Sequence, residues 1–330
     1  MTSPAVVDAL RVGAIVARAE VAVITLTGPG AITCFQGLLT NDIEKPGDGA
    51  FVYGALLTPK GMILVDGWAA RHGTSVSYVV PAEARERVLE LYTRSVPPRL
   101  ARTVDGSDEV TVLRLAGAGV AALCETVGVP LPLPGHAVAA NVHGVAAEVA
   151  RPGETAPFAA QIAAAPGHAL ALEERLAAAG ALRPGAAGLE LARILAGWPR
   201  LGAEVDDKTL PQEVRYDELG GVSYTKGCYT GQETVSRLHF RGHPNRELKG
   251  LEFDAEPDDA TTPAVVHRDK DVGRVTSVAW VPDGGTSPGG RWIGLGILRR
   301  EVAPGDMVRA GGTDARVVAL PFALSRREPA

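Results

Sequence analysis

Apolar and polar positions alternate in short runs that glycine and proline cut off. Val21, Val23 and Thr25 share one face of a predicted strand over 21–26, which Gly28-Pro29-Gly30 ends. A short helix is expected over 35–40. The runs 51–57 and 62–68 read as two strands joined by Thr58-Pro59-Lys60-Gly61, a hairpin signal, and 75–80 reads as another strand. Pro81 suits a first helical turn, where its missing N–H is not needed. Ala84, Val88, Leu91 and Tyr92 then recur on one helical face up to about Ser95. Further along, strands are expected over 110–115 and 143–150. Helices are expected over 118–127, 168–179 and 188–197, with Gly180 and Gly197 as stops. No long-period repeat is apparent.

After residue 245 the pattern changes. Short β-branched runs over 248–253, 273–280, 293–298, 306–309 and 315–320 alternate with Gly, Asp and Pro turns. Such spacing predicts a small β-barrel or sandwich. The expected organisation is α+β for residues 1–245, followed by a β module over 246–330.

Composition narrows the function classes. The chain has 330 residues, 46% of them hydrophobic and 22% charged, enough for two or three modules around a sizeable core. A net charge of −5 lacks the basic surplus of a general nucleic-acid binder, so no direct nucleic-acid binding is predicted. Asp8, Arg11, Arg18 and Glu20 interrupt the N-terminal apolar positions, against a signal peptide. No run is long enough for a membrane helix, and a cytoplasmic protein is expected. Cys34, Cys124 and Cys228 are far apart, and the histidines show no paired ligand spacing, so neither a disulfide framework nor a metal site is expected.

The most informative stretch is Lys226-Gly227-Cys228-Tyr229-Thr230-Gly231-Gln232-Glu233. Its two glycines let the backbone bend tightly. A Lys226 ammonium near the Cys228 sulfur would favour thiolate over thiol. Glu233 suits the first turn of a helix, and Arg237, His239 and Arg241 add positive charge behind it. From composition alone a buried spacer cysteine is the commoner case.

This octapeptide resembles the signature of the YgfZ family, a branch of the tetrahydrofolate-binding superfamily that also contains the glycine-cleavage T-protein. The resemblance continues in order through Phe35-Gln36-Gly37, Leu39-Thr40-Asn41-Asp42, Ala55 to Gly61 leading to Asp66, Gly202 to Glu213, Phe240-Arg241-Gly242, Gly273 to Ser277 and Leu320-Pro321-Phe322. It implies a GcvT/YgfZ-like ring of three modules around a central folate channel: two interleaved α+β modules over residues 1–245, including the signature 226–233, and a C-terminal antiparallel β-barrel over 246–330. It implies tetrahydrofolate as cofactor, and iron–sulfur enzymes or cluster-assembly proteins as partners, with a link to tRNA modification. Carried over by motif, Cys228 is the functional thiol, with Lys226 beside it, facing an interior hollow. Asp66 stands where T-protein relatives place a carboxylate near the reactive folate nitrogen, and Asn41, Asp66, Tyr229, Gln232, Glu233 and Arg241 are candidate folate contacts. The implied role is an assembly factor rather than an enzyme. The alternative is folate-dependent one-carbon transfer, as an aminomethyltransferase or demethylase using Asp66. Arg193-Ile194-Leu195-Ala196-Gly197 departs from the T-protein pattern, because Leu195 replaces a glutamate that contacts the pterin. Loss of one buried acceptor costs about 1–3 kcal/mol.

Overall fold

The computed structural model describes residues 3–153, 156–258, 264–283 and 289–324. Among these residues the strands form two five-stranded antiparallel sheets and one closed barrel. In the first sheet the strands lie in the order Phe51–Leu57, Ile63–His72, Ser75–Pro81, Val21–Thr27 and Arg102–Asp105. Helices Ala31–Gln36 and Arg85–Ser95 cover its outer face, burying Phe35, Val88 and Tyr92 against Leu56, Val65 and Ala69. The second sheet runs His136–Val142, Val145–Arg151, Ala160–Ala164, Thr111–Ala116 and Ile15–Arg18. Helices Val120–Val127 and Pro166–Ala178 cover it over Leu113, Leu115 and Ile162.

The two sheets are the same motif twice, which the sequence pattern did not reveal. In each, a strand leads into a helix, a hairpin, a third strand and a second helix, with the same spatial order counted from the hairpin edge. Only the fifth strand differs in origin. In the first sheet it follows the second helix, whereas in the second sheet it comes from Ile15–Arg18, ahead of the first motif. The motifs are therefore interleaved. Their shared local feature is the glycine turn between strand and first helix. Gly28 and Gly117 have φ of 127° and 119°, and an added Cβ would lie 2.9 Å from the Leu100 carbonyl oxygen and 2.5 Å from that of Gly13. The helix expected over 35–40 begins at Ala31, directly after this turn, and stops at Gln36 before Gly37.

The C-terminal runs close into a barrel rather than a sandwich. Its order is Arg246–Phe253, Gly290–Arg299, Lys270–Pro282, Ala264–His267, Met307–Ala310 and Thr313–Val318, and the last strand pairs back onto the first. Closure removes both sheet edges. The largest core lies where the three modules meet. Phe51, Tyr53, Ala55 and Trp68 enter it from the first sheet, Ala116 and Ala150 from the second, and Ile293, Leu295 and Ile297 from the barrel. Helix Ala186–Ala196 runs through this centre with Leu191 and Ile194 buried. Strand alternation produces the arrangement: 51, 53, 55 and 57 point inward, while Leu56 points to the outer helices. No helix among the described residues is long and apolar enough to cross a membrane.

Candidate functional site

A hollow of about 530 Å³ opens between the inner faces of the two sheets and helix Ala186–Ala196. That volume is in the range of small-molecule sites. Its walls are aromatic: Trp68 and Trp198 lie 5.8 Å apart with planes 17° from parallel, and Tyr53 and Phe158 complete the lining. Asp66, Arg114, Glu190 and Arg193 bring charge into it.

Asp66, on strand Ile63–His72, is 6% exposed. The Tyr53 hydroxyl donates to its Oδ2 at 2.5 Å and lies 3.1 Å from the Tyr216 hydroxyl. Burial pushes the Asp66 carboxyl above its ordinary pKa, outweighing the two tyrosines and the Arg114 charge that pull it down. Burial and the nearby Asp66 charge together keep both tyrosines well above the usual phenol range. The consequence for stability has a definite sign. The native carboxyl holds its proton more tightly than the unfolded chain does, so native stability falls as pH rises from the ordinary aspartate value through the raised one. Asp66→Asn is therefore expected to stabilise the protein at pH 7 by roughly 0.5–2 kcal/mol, the range of single stabilising substitutions at strained functional positions. The gain should shrink as pH falls toward 4. Thermal midpoints that coincide at pH 7 would contradict this account of the burial.

A second hollow of about 440 Å³ adjoins the first, with Pro157 and Phe158 lining both. Leu195 faces this second space, and its carbonyl accepts from the Phe322 N–H at 2.8 Å. The position of the T-protein glutamate thus does not line the first hollow. The carboxylates that do include Asp66 and Glu190.

The signature stretch lies elsewhere. Cys228 is exposed and lines neither hollow, which corrects both the buried-spacer reading and the expectation that it faces the interior. Its turn is fastened to two other motif blocks. Lys226, 9% exposed, donates to the carbonyls of Gln36, Leu39 and Asn41 at 2.7, 2.6 and 2.7 Å. Those bonds use all three ammonium donors, so Lys226 holds the loop instead of serving the thiol. Burial draws its pKa down to about 8, and the charges of Asp42 and Glu44 oppose that. The Thr230 N–H donates to the Gly37 carbonyl at 3.1 Å. Gly231, at φ 83°, presses against the hairpin tip, and a Cβ there would meet the Thr58 carbonyl oxygen at 2.6 Å. Leu39-Asp42 and Thr58-Gly61, far apart in sequence, thus both meet the Lys226-Glu233 turn that carries the exposed Cys228.

Of the predicted folate contacts, Asp66 alone lines the hollow. Asn41 donates to the Tyr53 and Gly220 carbonyls at 2.7 and 2.8 Å, tying the motif loop down. Tyr229 is buried beneath the Lys226 ammonium, 5.2 Å from ring centroid to Nζ. Gln232 and Glu233 start helix Gln232–Arg241 as expected, and Arg241 is exposed at its far end. Sequence reasoning missed Tyr53, Trp68, Arg114, Trp198 and Tyr216. Only Arg114 carried a signal, as a lone charge inside an apolar strand.

The architecture is GcvT-like. The glycine cleavage system aminomethyltransferase T from Bartonella henselae superposes with a TM-score of 0.78 over 98% of this chain and 90% of its own, at 20% identity. The GCVT N-terminal domain family matches residues 10–219. The tRNA-modifying protein YgfZ of Pectobacterium atrosepticum is 28% identical over 231 residues, 70% of this chain and 67% of that one. The YgfZ protein of Escherichia coli O157:H7 is 28% identical over 228 residues, 69% of this chain and 68% of its own. The chain belongs to the GCVT N-terminal domain family, and the curated proteins it is similar to are YgfZ proteins.

Proposed function

We propose that this protein binds a reduced folate in the central hollow and uses Cys228 at its surface to support the assembly or repair of iron–sulfur enzymes, including ones that modify tRNA. The observation that carries the reading is the exposed, unpaired sulfur held where three motif blocks converge. A thiol fixed at the surface by a buried lysine clamp can meet a partner protein, which a core cysteine cannot. The relatives' description as tRNA-modifying proteins supports the same direction. The hollow's residues fit a folate. Aromatic walls suit a flat pterin, Asp66 and Glu190 can accept its N–H groups, and Arg18 and Arg200 face the space with positive charge. When bound, the folate would supply a carrier for one-carbon units. The test is a Cys228→Ser strain. Its iron–sulfur enzymes and its modified tRNA nucleosides are expected to fall several-fold under oxidative stress at unchanged protein level. Unchanged activities and nucleosides would sink the thiol's role.

Asp66 supports a second reading, folate-dependent one-carbon transfer. A buried carboxyl with a raised pKa, steered by Tyr53, can take or return a proton at the atom it faces. Incubation with tetrahydrofolate and an S-aminomethyl thioether, a donor already at the formaldehyde oxidation level, should then yield methylene-folate with release of ammonia and the free thiol, lost in Asp66→Asn and kept in Cys228→Ser. No product with any donor removes this reading.

A further inference from the structure

One cation in the hollow has no counter-ion among the described residues. Arg114 sits in the middle of strand Thr111–Ala116, where Leu113 and Leu115 pack into the core under the outer helices. Alternation along the strand therefore turns Arg114 into the hollow. Its guanidinium lies over the Phe158 ring at 4.6 Å, and its Nε donates to Gln161 Oε1 at 3.3 Å. The two terminal amino groups make no protein hydrogen bond among the described residues, and no carboxylate there comes within ion-pair distance. Among the described residues, the buried arginines are paired: Arg193 with Glu190 and Glu204, and Arg215 with Glu218. Burial draws the Arg114 pKa down to about 10, with the charge of Asp66 working against that. Asp66 acts on Arg114 through its charge alone and forms no ion pair with it.

Arg114 is half-buried, and a guanidinium there without a carboxylate partner leaves its charge to water in the hollow or to a bound anion. Two free amino groups on one planar fork match the two oxygens of a carboxylate. Stacking on Phe158 and the Gln161 contact on Nε hold the fork in place with those donors open.

We propose that Arg114 is the anion-recognition residue of the hollow and receives a carboxylate of the bound small molecule. The inference deepens the folate reading and rests on it for the ligand's identity. The carboxylate has two possible sources: the glutamate tail of a folate, or a small carboxylic acid bound beside a pterin.

The experiment titrates the full chain and Arg114→Gln with four probes, following the fluorescence of Trp68 and Trp198 in the walls. The probes are tetrahydrofolate, 6-methyltetrahydropterin, p-aminobenzoylglutamate and N-methylglycine. Removal of an unpaired, half-buried cation should leave the variant folded, which its thermal midpoint checks, and Arg114→Lys should restore part of any loss. With the tail as source, Arg114→Gln weakens tetrahydrofolate and p-aminobenzoylglutamate by about 10- to 100-fold and leaves 6-methyltetrahydropterin unchanged. With a separate acid as source, the variant binds both pterin probes normally, but pterin-loaded variant no longer takes up N-methylglycine as the wild type does. Equal binding of every carboxylate probe by variant and wild type overturns the proposal, as does a wild type that binds none of them. A wild type that ignores both pterin probes but binds p-aminobenzoylglutamate through Arg114 removes the folate reading and leaves Arg114 in its role.

Discussion

Arg193→Met is expected to lower the unfolding free energy by about 3–5 kcal/mol, the range seen when one partner of a buried ion pair is removed. The residue is 7% exposed, and it ties together three parts of the molecule. From helix Ala186–Ala196 its Nη1 donates to the Trp198 carbonyl at 2.7 Å and to Glu204 Oε2 at 2.9 Å. Its Nη2 donates to Glu190 Oε1 and to Ser277 Oγ, both at 2.6 Å. The Ser277 hydroxyl, on barrel strand Lys270–Pro282, donates in turn to Glu204 Oε1 at 2.7 Å. Glu204 is fully buried, so methionine at 193 would strand its carboxylate with only a hydroxyl and the Arg200 N–H at 3.0 Å. Urea denaturation gives the loss directly. The double variant Arg193→Met, Glu204→Leu should lose clearly less than the two single losses added, because the stranded charge is gone. A single-variant loss below about 1 kcal/mol would show that solvent reaches this network. The hollow depends on the same network. Trp198 is one of its walls, and a loosened 198–204 segment should weaken any ligand there along with the fold.

The network also shows which parts of this molecule a sequence can disclose. Local periodicity located the hairpin of Phe51–Leu57 and Ile63–His72, helix Pro166–Ala178 and five of the six barrel strands, because each alternates or recurs at its own period. Arg102–Asp105 escaped, since it is an almost wholly exposed edge strand with no apolar face. Ala160–Ala164 escaped because alanines dominate it and carry little strand signal. The duplicated motif left only its two glycine turns, at Gly28 and Gly117, as a trace. Everything else in the repeat is held by burial pattern, which many residue types satisfy. The motif blocks singled out segments that fold against one another but misjudged where their side chains sit. Nothing in the order Lys226-Gly227-Cys228 says whether the ammonium turns toward the sulfur or into the carbonyls of a loop some 190 positions earlier. That choice is tertiary, and so is the gathering of Tyr53, Trp198 and Tyr216 around Asp66.

Lys226→Met should therefore behave as a folding defect and not as a silenced thiol. Three carbonyls, of Gln36, Leu39 and Asn41, converge on one ammonium in a nearly closed space. Hydrogen bonds to a charged donor contribute about 1.5–3 kcal/mol each and do not add fully, so a loss of about 3 kcal/mol or more is expected. Arginine should not rescue it, because a planar fork cannot reproduce three donors radiating from one atom. The freed loop carries Asn41 and Thr40. Thr40 Oγ1 donates to the Gly221 carbonyl at 2.6 Å and accepts from the Ala55 N–H at 2.9 Å, so the damage should spread into strand Phe51–Leu57. Two readouts separate the clamp from direct action on sulfur. Denaturation reports the fold, and the alkylation rate of Cys228 under native conditions reports the thiol. A clamp predicts a large drop in the first, and a second that holds or rises as the turn loosens. Full stability with slowed alkylation would reverse the assignment and return Lys226 to the side of the cysteine.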